Sequence, residues 1–320
     1  MTYKRKQHRD IYQEVTNAII ASIEAGTAPW LRPWKLNQGD GSDPIAAGLP
    51  IRENGMAYHG INTLVLWAAG ADSGYRSQRW LTYNAAKAHG GQVRRGEKSP
   101  ATIVYFSRVI GTRESTDGTQ EDYSYPLLKH HAVFNAQQCD GLKDDYMFPQ
   151  PRAFETPEAR IEHAEEFFRA TGATVRHGGD EAYYVPSRDH IQMPIFNAFK
   201  DSDAYYATLA HETTHWTRHA TRLNRSFGKT KFGDEGYARE ELVAEIGSAF
   251  VCATLGLSLE PREDHAKYIA AWLKVLKEDK KAIFQAASFA SAAHQYLCAF
   301  SDKDTDTDKS EEEKSPAIAA

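Results

Sequence analysis

Cysteine is scarce: Cys139, Cys252 and Cys298 are the only three in 320 residues, an odd number spaced far apart. That excludes a disulfide framework and a Cys-x-x-Cys zinc knuckle, and it fits a reducing, cytoplasmic location. Long apolar runs are also missing. No stretch approaches eighteen apolar residues, and the run Met1 to Lys6 turns polar at once instead of opening an apolar signal core. These features argue against export and against a membrane partner. A strong charge of either sign is absent too, the net value being −5. With 41% hydrophobic and 25% charged residues the composition is that of a soluble globular protein, and the length favours two domains.

The modest net charge hides an uneven distribution. Residues 1–113 hold 15 Lys/Arg against 8 Asp/Glu, an excess of +7, so the remainder carries −12. Such asymmetry points to two tasks.

Asp10 and Gln13 read as a capping box, and Ile11, Val15, Ile19 and Ile23 continue as a helical stripe up to Gly26. Residues 27–50, with four prolines and both Trp30 and Trp34, read as a long loop. Helical patterns follow at 61–69 and 82–88. Residues 101–106 are a β-run that returns around 130–134, with a hairpin loop expected over 111–124. Pro149, Pro151 and Pro157 mark a linker, and Thr156-Pro157 opens a helix to about Ala170. Short strands are expected around 173–176 and 182–186, and helices at about 236–255, 262–278 and 280–298. The expected class is α+β. It divides into an N-terminal α+β domain (1–145), a linker (146–158), a mainly helical C-terminal domain (159–300) and a disordered acidic tail (301–320).

The clearest chemistry lies in His211-Glu212-Thr213-Thr214-His215. Residues four apart on a helix share a face about 6 Å apart, so both imidazoles can reach one ion. Glu212 stands beside that face, placed to take a proton from a water on the ion. His219 continues the spacing but lies about 12 Å from His211 along one helix, with no glycine break to turn the chain back, so it is set aside. The third ligand is sought in Arg239 to Glu245, where Glu241 and Glu245 share a face: one can ligate while the other orients an imidazole. Glu240, about 100° round from Glu241, is expected on the solvated side. Tyr183, Tyr184, His265 and Tyr268 are chemically suited to donate a proton, and none is singled out.

This arrangement is similar to the gluzincin metalloproteases, whose second helix offers a Glu ligand and, four residues on, an acidic partner of a ligating His. The resemblance implies that Glu241 is the ligand and Glu245 the supporter, with Glu standing where Asp is usual. Zn2+ suits two His and one Glu, and Mn2+ or Co2+ could occupy the same geometry.

The basic half interleaves aromatics with cations. Arg76, Arg79, Trp80, Tyr83 and Lys87, followed by Arg94, Arg95 and Lys98, form the combination that single-stranded nucleic acid asks for, cations for phosphates and ring faces for unpaired bases. No basic recognition helix is evident. The run from Asp10 to Lys98, including Tyr58 to Asn62, Arg79 to Asn84 and Gly90 to Lys98, resembles the N-terminal domain of the ArdC antirestriction family, which is related to the N-terminal part of TraC-type plasmid primases. Val133-Phe134-Asn135, Gln138 to Leu142 and His211 to Arg225 extend the resemblance over nearly the whole chain. It implies an N-terminal single-stranded-DNA-binding domain joined to a C-terminal zincin-like metallopeptidase domain, protecting incoming plasmid DNA from host restriction during conjugation. Two readings follow: a DNA-coating protein, or a DNA-tethered zinc metalloprotease that cuts a host partner such as a restriction subunit.

Overall fold

The computed structural model describes residues 9–31, 48–114, 119–148, 157–228, 234–257 and 265–312. It divides into two compact units, one of residues 50–149 and one that joins 1–49 to 150–320.

The second of these units opens with α1 (Ile11–Glu24), started by the Asp10 side chain accepting the Gln13 N–H. Its apolar stripe of Ile11, Ile19, Ile20 and Ile23 is buried. By packing, the helix belongs with the C-terminal helices, so the compact units divide differently from the expected 1–145 domain. Tyr12 packs on Phe284, Trp30 meets Trp272 edge-on, and the Thr16 hydroxyl donates to the Lys280 carbonyl. A buried stripe in sequence says that a face is covered but not by what. Trp34 lies outside the described residues.

The 50–149 unit is α+β: α2 (Ile61–Asp72), β1 (Trp80–Leu81), α3 (Tyr83–Ala88), β2 (Gln92–Val93), β3 (Ala101–Glu114), β4 (Gln120–Asn135), β5 (Cys139–Asp140) and α4 (Asp144–Met147). β3 and β4 form one long antiparallel hairpin in unbroken register from Ala101↔Val133 to Glu114↔Gln120, and β1 adds only at Trp80↔Asn135 and Leu81↔Phe134. The hairpin loop is therefore far shorter than the expected 111–124. Trp80, Leu66, Tyr58, Ala101 and Val133 form one core cluster, and Leu81, Ala86, Val93, Ala136, Cys139 and Leu142 another. α4 occupies part of the expected linker, of which 149–156 lie outside the described residues.

The helical unit continues with α5 (Pro157–Ala170), β6 (Val175–His177), β7 (Tyr183–Val185), β8 (His190–Met193), α6 (Ser202–Trp216), α7 (Glu235–Leu255), α8 (His265–Glu278) and α9 (Ala282–Glu312). β8 is central, parallel to β6 and antiparallel to β7, and was not foreseen. α9 runs twelve residues into the expected disordered tail; once a buried turn has nucleated a helix, each added residue gains a hydrogen bond without a new nucleation step. Residues 313–320 lie outside the described set. No helix among the described residues is long and apolar enough to cross a membrane, and all three cysteines are free thiols.

Candidate functional site

α6 is buried from Tyr205 to Trp216 apart from Thr208, which is unusual for a stretch holding two His, a Glu and two further Thr, Thr213 and Thr214. The threonines are accommodated by bonding back into the helix, Thr213 Oγ1 to the Leu209 carbonyl (2.6 Å) and Thr214 Oγ1 to that of Ala210 (2.8 Å). α7 lies against α6 with Gly247 over Thr214. A Cβ at 247 would stand 2.6 Å from Thr214 Cγ2, so glycine permits the approach that carries Glu241 to the imidazoles.

Three ligand-type atoms converge there. His211 Nε2 and His215 Nε2 are 3.2 Å apart, Glu241 Oε2 is 3.5 Å from the first and Glu241 Oε1 3.4 Å from the second. Tetrahedral bonds of roughly 2.0–2.2 Å to one ion would space ligand atoms roughly 3.3–3.5 Å apart, so the trio fits a divalent cation. The donor set demands a positive charge. Nδ1 of His215 is within hydrogen-bond distance of Glu240 (3.1 Å), which directs that ring's proton to a carboxylate, while Nδ1 of His211 lies 3.3 Å from Glu245, close but not in hydrogen-bond geometry. Two Nε2 lone pairs and the Glu241 carboxylate then meet in a buried space, where only a proton or a cation relieves the repulsion. Without an ion the proton fills this role. Burial would lower the His215 pKa, yet Glu241 and Glu240 outweigh it and raise it to about 10, while the imidazoles hold the buried Glu241 well below the usual carboxylate range.

Glu240 is not on a solvated side. It is buried, its Oε1 faces His215 Nδ1, and Arg225 grips it through Nη2 (2.7 Å) and Nε (2.9 Å). Burial pushes Glu240 up, but Arg225 and His215 prevail and hold it at about 2. Spacing missed this because α7 has no solvated side at that level, and because Arg225 reaches it from the loop after α6. His219 lies beyond the end of α6, with its Nδ1 against the Thr221 hydroxyl.

A cavity of about 250 Å³ opens onto His211, Glu212, His215 and Glu241. Tyr183, Tyr184, Arg218, Tyr237 and Tyr268 line it as well. Tyr184 donates to Asp189 and is committed there. Tyr237 was missed by sequence reasoning: its hydroxyl is 3.2 Å from that of Tyr268, and burial together with the nearby Glu241 raises its pKa. β7, at the edge of its sheet, supplies the cavity wall at Tyr183 and Tyr184.

The expected DNA-contacting residues separate into two groups. Tyr83, Lys87, Arg94, Arg95 and Lys98 are exposed, with Arg94 paired to Glu97 at 2.7 Å, and Arg76 is half-buried over the Phe148 ring. Arg79 and Trp80 are interior, which corrects their assignment. Trp80 is 1% exposed within the core, and the Arg79 guanidinium donates to the carbonyls of Arg52, Glu53 and Tyr146 while stacking on the Tyr146 ring. Neither can meet a phosphate or a base while the unit is folded.

Residues 162–289 match the family described as a zincin-like metallopeptidase, and residues 9–134 match the N-terminal domain of anti-restriction factor ArdC. The metal-free crystal structure of the antirestriction protein ArdC from plasmid R388 aligns with a TM-score of 0.77 at 43% identity, over 92% of this chain and 99% of that one. The chain belongs to the ArdC antirestriction family. The Mn(II)-bound form of the R388 protein aligns at a TM-score of 0.72 over 91% of this chain and 98% of that one. Protein y4eC of Sinorhizobium fredii is 40% identical over 293 residues, 90% of this chain and 91% of its own. An Escherichia coli DNA primase TraC is 36% identical over 98% of this chain but only 29% of its own length, so its remaining length has no counterpart here. The ArdC domain match starts at residue 9, upstream of the structural division, so α1 belongs to the N-terminal family domain by sequence and to the helical unit by packing.

Proposed function

We propose that this ArdC-family protein binds single-stranded DNA through its 50–149 unit, protects incoming DNA from restriction during conjugation, and carries a working metal-dependent peptidase centre. His211, His215 and Glu241 hold the ion, Glu240 and Glu245 orient the two imidazoles, and Glu212 is the general base. The observation that carries the hydrolytic reading is the meeting of three ligand atoms beside Glu212 in an open cavity. A bound divalent ion, Zn2+ or Mn2+, supplies Lewis-acid polarisation of a carbonyl and acidifies a water. Glu212 accepts the proton of the attacking water and passes it to the leaving amine. Tyr237 and Tyr268 offer phenolic donors within the cavity wall. An extended peptide suits the site because β7 is a sheet edge whose backbone groups can pair with an added strand.

Glu212→Ala separates hydrolysis from binding. The variant should keep full metal stoichiometry and oligonucleotide affinity while losing antirestriction in a conjugation assay. Unchanged antirestriction would leave the DNA-binding role standing and remove the peptidase from it, including any cleavage of a host restriction subunit.

A further inference from the structure

The β3–β4 hairpin takes no part in the centre described above. Beyond the two residues that pair with β1 it is a ribbon of two strands, an arrangement marginal in water by itself. It nevertheless exposes large side chains, with Ile110 73%, Phe106 62% and Tyr125 49% exposed. Residues paired across the ribbon share a face, and alternate rows share it too. One face therefore carries the rows Ile103↔His131, Tyr105↔Lys129, Ser107↔Leu127, Val109↔Tyr125 and Gly111↔Tyr123. On it the Tyr105 ring stacks on His131 (5.0 Å, 18°) and Tyr123 on Tyr125 (6.0 Å, 11°). Gly111 explains the pose of Tyr123. A Cβ at 111 would come within 2.7 Å of that ring, so the phenol lies over the bare glycine backbone, with Tyr123 37% exposed. Lys129 and His131 share this face, Arg108 and His130 lie on the other, and the rows from Ile103↔His131 to Ile110↔Ser124 hold no carboxylate; Glu114, Glu121 and Asp122 sit at the outer end, where Glu121 pairs with Arg113 at 3.2 Å.

We propose that this face is the base-stacking platform for single-stranded DNA. Tyr105, Tyr123 and Tyr125 receive unpaired bases, and Lys129, on the same face, draws the phosphates. The inference rests on the single-stranded-DNA reading above and moves the aromatic contacts away from the buried Trp80.

The test uses the full chain and fluorescence polarisation with a labelled oligo-dT and an abasic oligomer of equal length and charge. The triple variant Tyr105→Ala, Tyr123→Ala, Tyr125→Ala should bind oligo-dT at least roughly tenfold more weakly and bind the abasic oligomer as the wild type does. Tyr→Phe at the same three positions should retain wild-type affinity, since only the rings are required. Lys129→Gln should lower the salt-dependence slope by about 0.7, the share of one phosphate contact on a single strand. Wild-type affinity for oligo-dT in the Ala variant, or an equal loss on both oligomers, would overturn the platform while leaving DNA binding in place. Failure of the wild type to bind either oligomer at low salt would remove the underlying reading, and the platform with it. Should the Ala variant instead change the sedimented mass with DNA affinity intact, the ribbon is a self-association surface and the proposal is wrong.

Discussion

Replacing Glu240 by Ala should be more damaging than any exposed substitution in this chain, and in a way that isolates its role. Arg225 and Glu240 are 1% and 2% exposed, joined by two parallel hydrogen bonds, and Glu240 also receives His215 Nδ1. Removing the carboxylate leaves a guanidinium uncompensated in the interior, which costs about 3–5 kcal/mol. For a unit of this size each kcal/mol lowers the melting temperature by about 2–4 °C, so calorimetry should record a fall of roughly 6–20 °C. His215 simultaneously loses the acceptor that fixes its ring, which should weaken metal binding by roughly 10–100-fold. The pair Arg225→Met with Glu240→Leu separates the two effects. Filling both positions with apolar side chains removes the stranded charge, so stability should return to within about 1 kcal/mol of wild type. Metal affinity should stay low, because His215 still lacks its partner. A Glu240→Ala variant within about 1 kcal/mol of wild type, or a double variant as unstable as the single, would refute the buried-pair reasoning. The pH dependence gives an independent check. Glu240 is depressed from 4.5 to about 2 in the folded protein, so its contribution is present above about pH 4.5 and lost as pH falls towards 2. The gap between wild type and variant should close in acid.

Further outcomes are expected elsewhere. His215 has its pKa raised to about 10 without an ion, so metal uptake must displace a proton; affinity measured by competition with a chelator should rise about tenfold per pH unit from pH 7 towards 10, and a flat profile would contradict the site's electrostatics. Gly247→Ala should destabilise the helical unit by about 1–3 kcal/mol in urea titration and weaken metal binding, with Thr214→Ala in the same chain restoring much of both. Trp80→Ala should cost about 3–5 kcal/mol as a core truncation, whereas the exposed Tyr83→Ala should change stability by under about 0.5 kcal/mol.

The parts that sequence made legible are those governed by local periodicity. A four-residue His spacing and a Glu on a small-residue helix are statements about single helices, and the three side chains that meet in the structure are the ones this spacing and the gluzincin resemblance put forward. Glu240 was misjudged because its surroundings depend on Arg225, fifteen positions earlier, folding back beneath the helix. Arg79 and Trp80 were misjudged for a different reason. A cation among aromatics has one sequence signature whether its N–H groups meet phosphates or backbone carbonyls, and only the fold distinguishes them. The length of the hairpin was hidden because both its faces are exposed, leaving Tyr, Ile and Phe without the clean apolar–polar alternation of a half-buried strand.

The placement of α1 has a consequence for how the protein is made. Its partners arrive very late: 253 positions separate Glu24 from Lys277 and 264 separate Thr16 from Lys280. At ribosomal rates of about 5–20 residues per second, roughly 13–50 s pass between synthesis of this helix and of the surface that covers it. During that interval the 50–149 unit can complete its core while Ile11, Ile19 and Ile23 remain uncovered on the nascent chain. A ribosome stalled after residue 149 has emerged but before α8 is made would therefore hold a complete 50–149 unit and an α1 whose apolar stripe is still uncovered, the kind of surface a ribosome-associated chaperone binds.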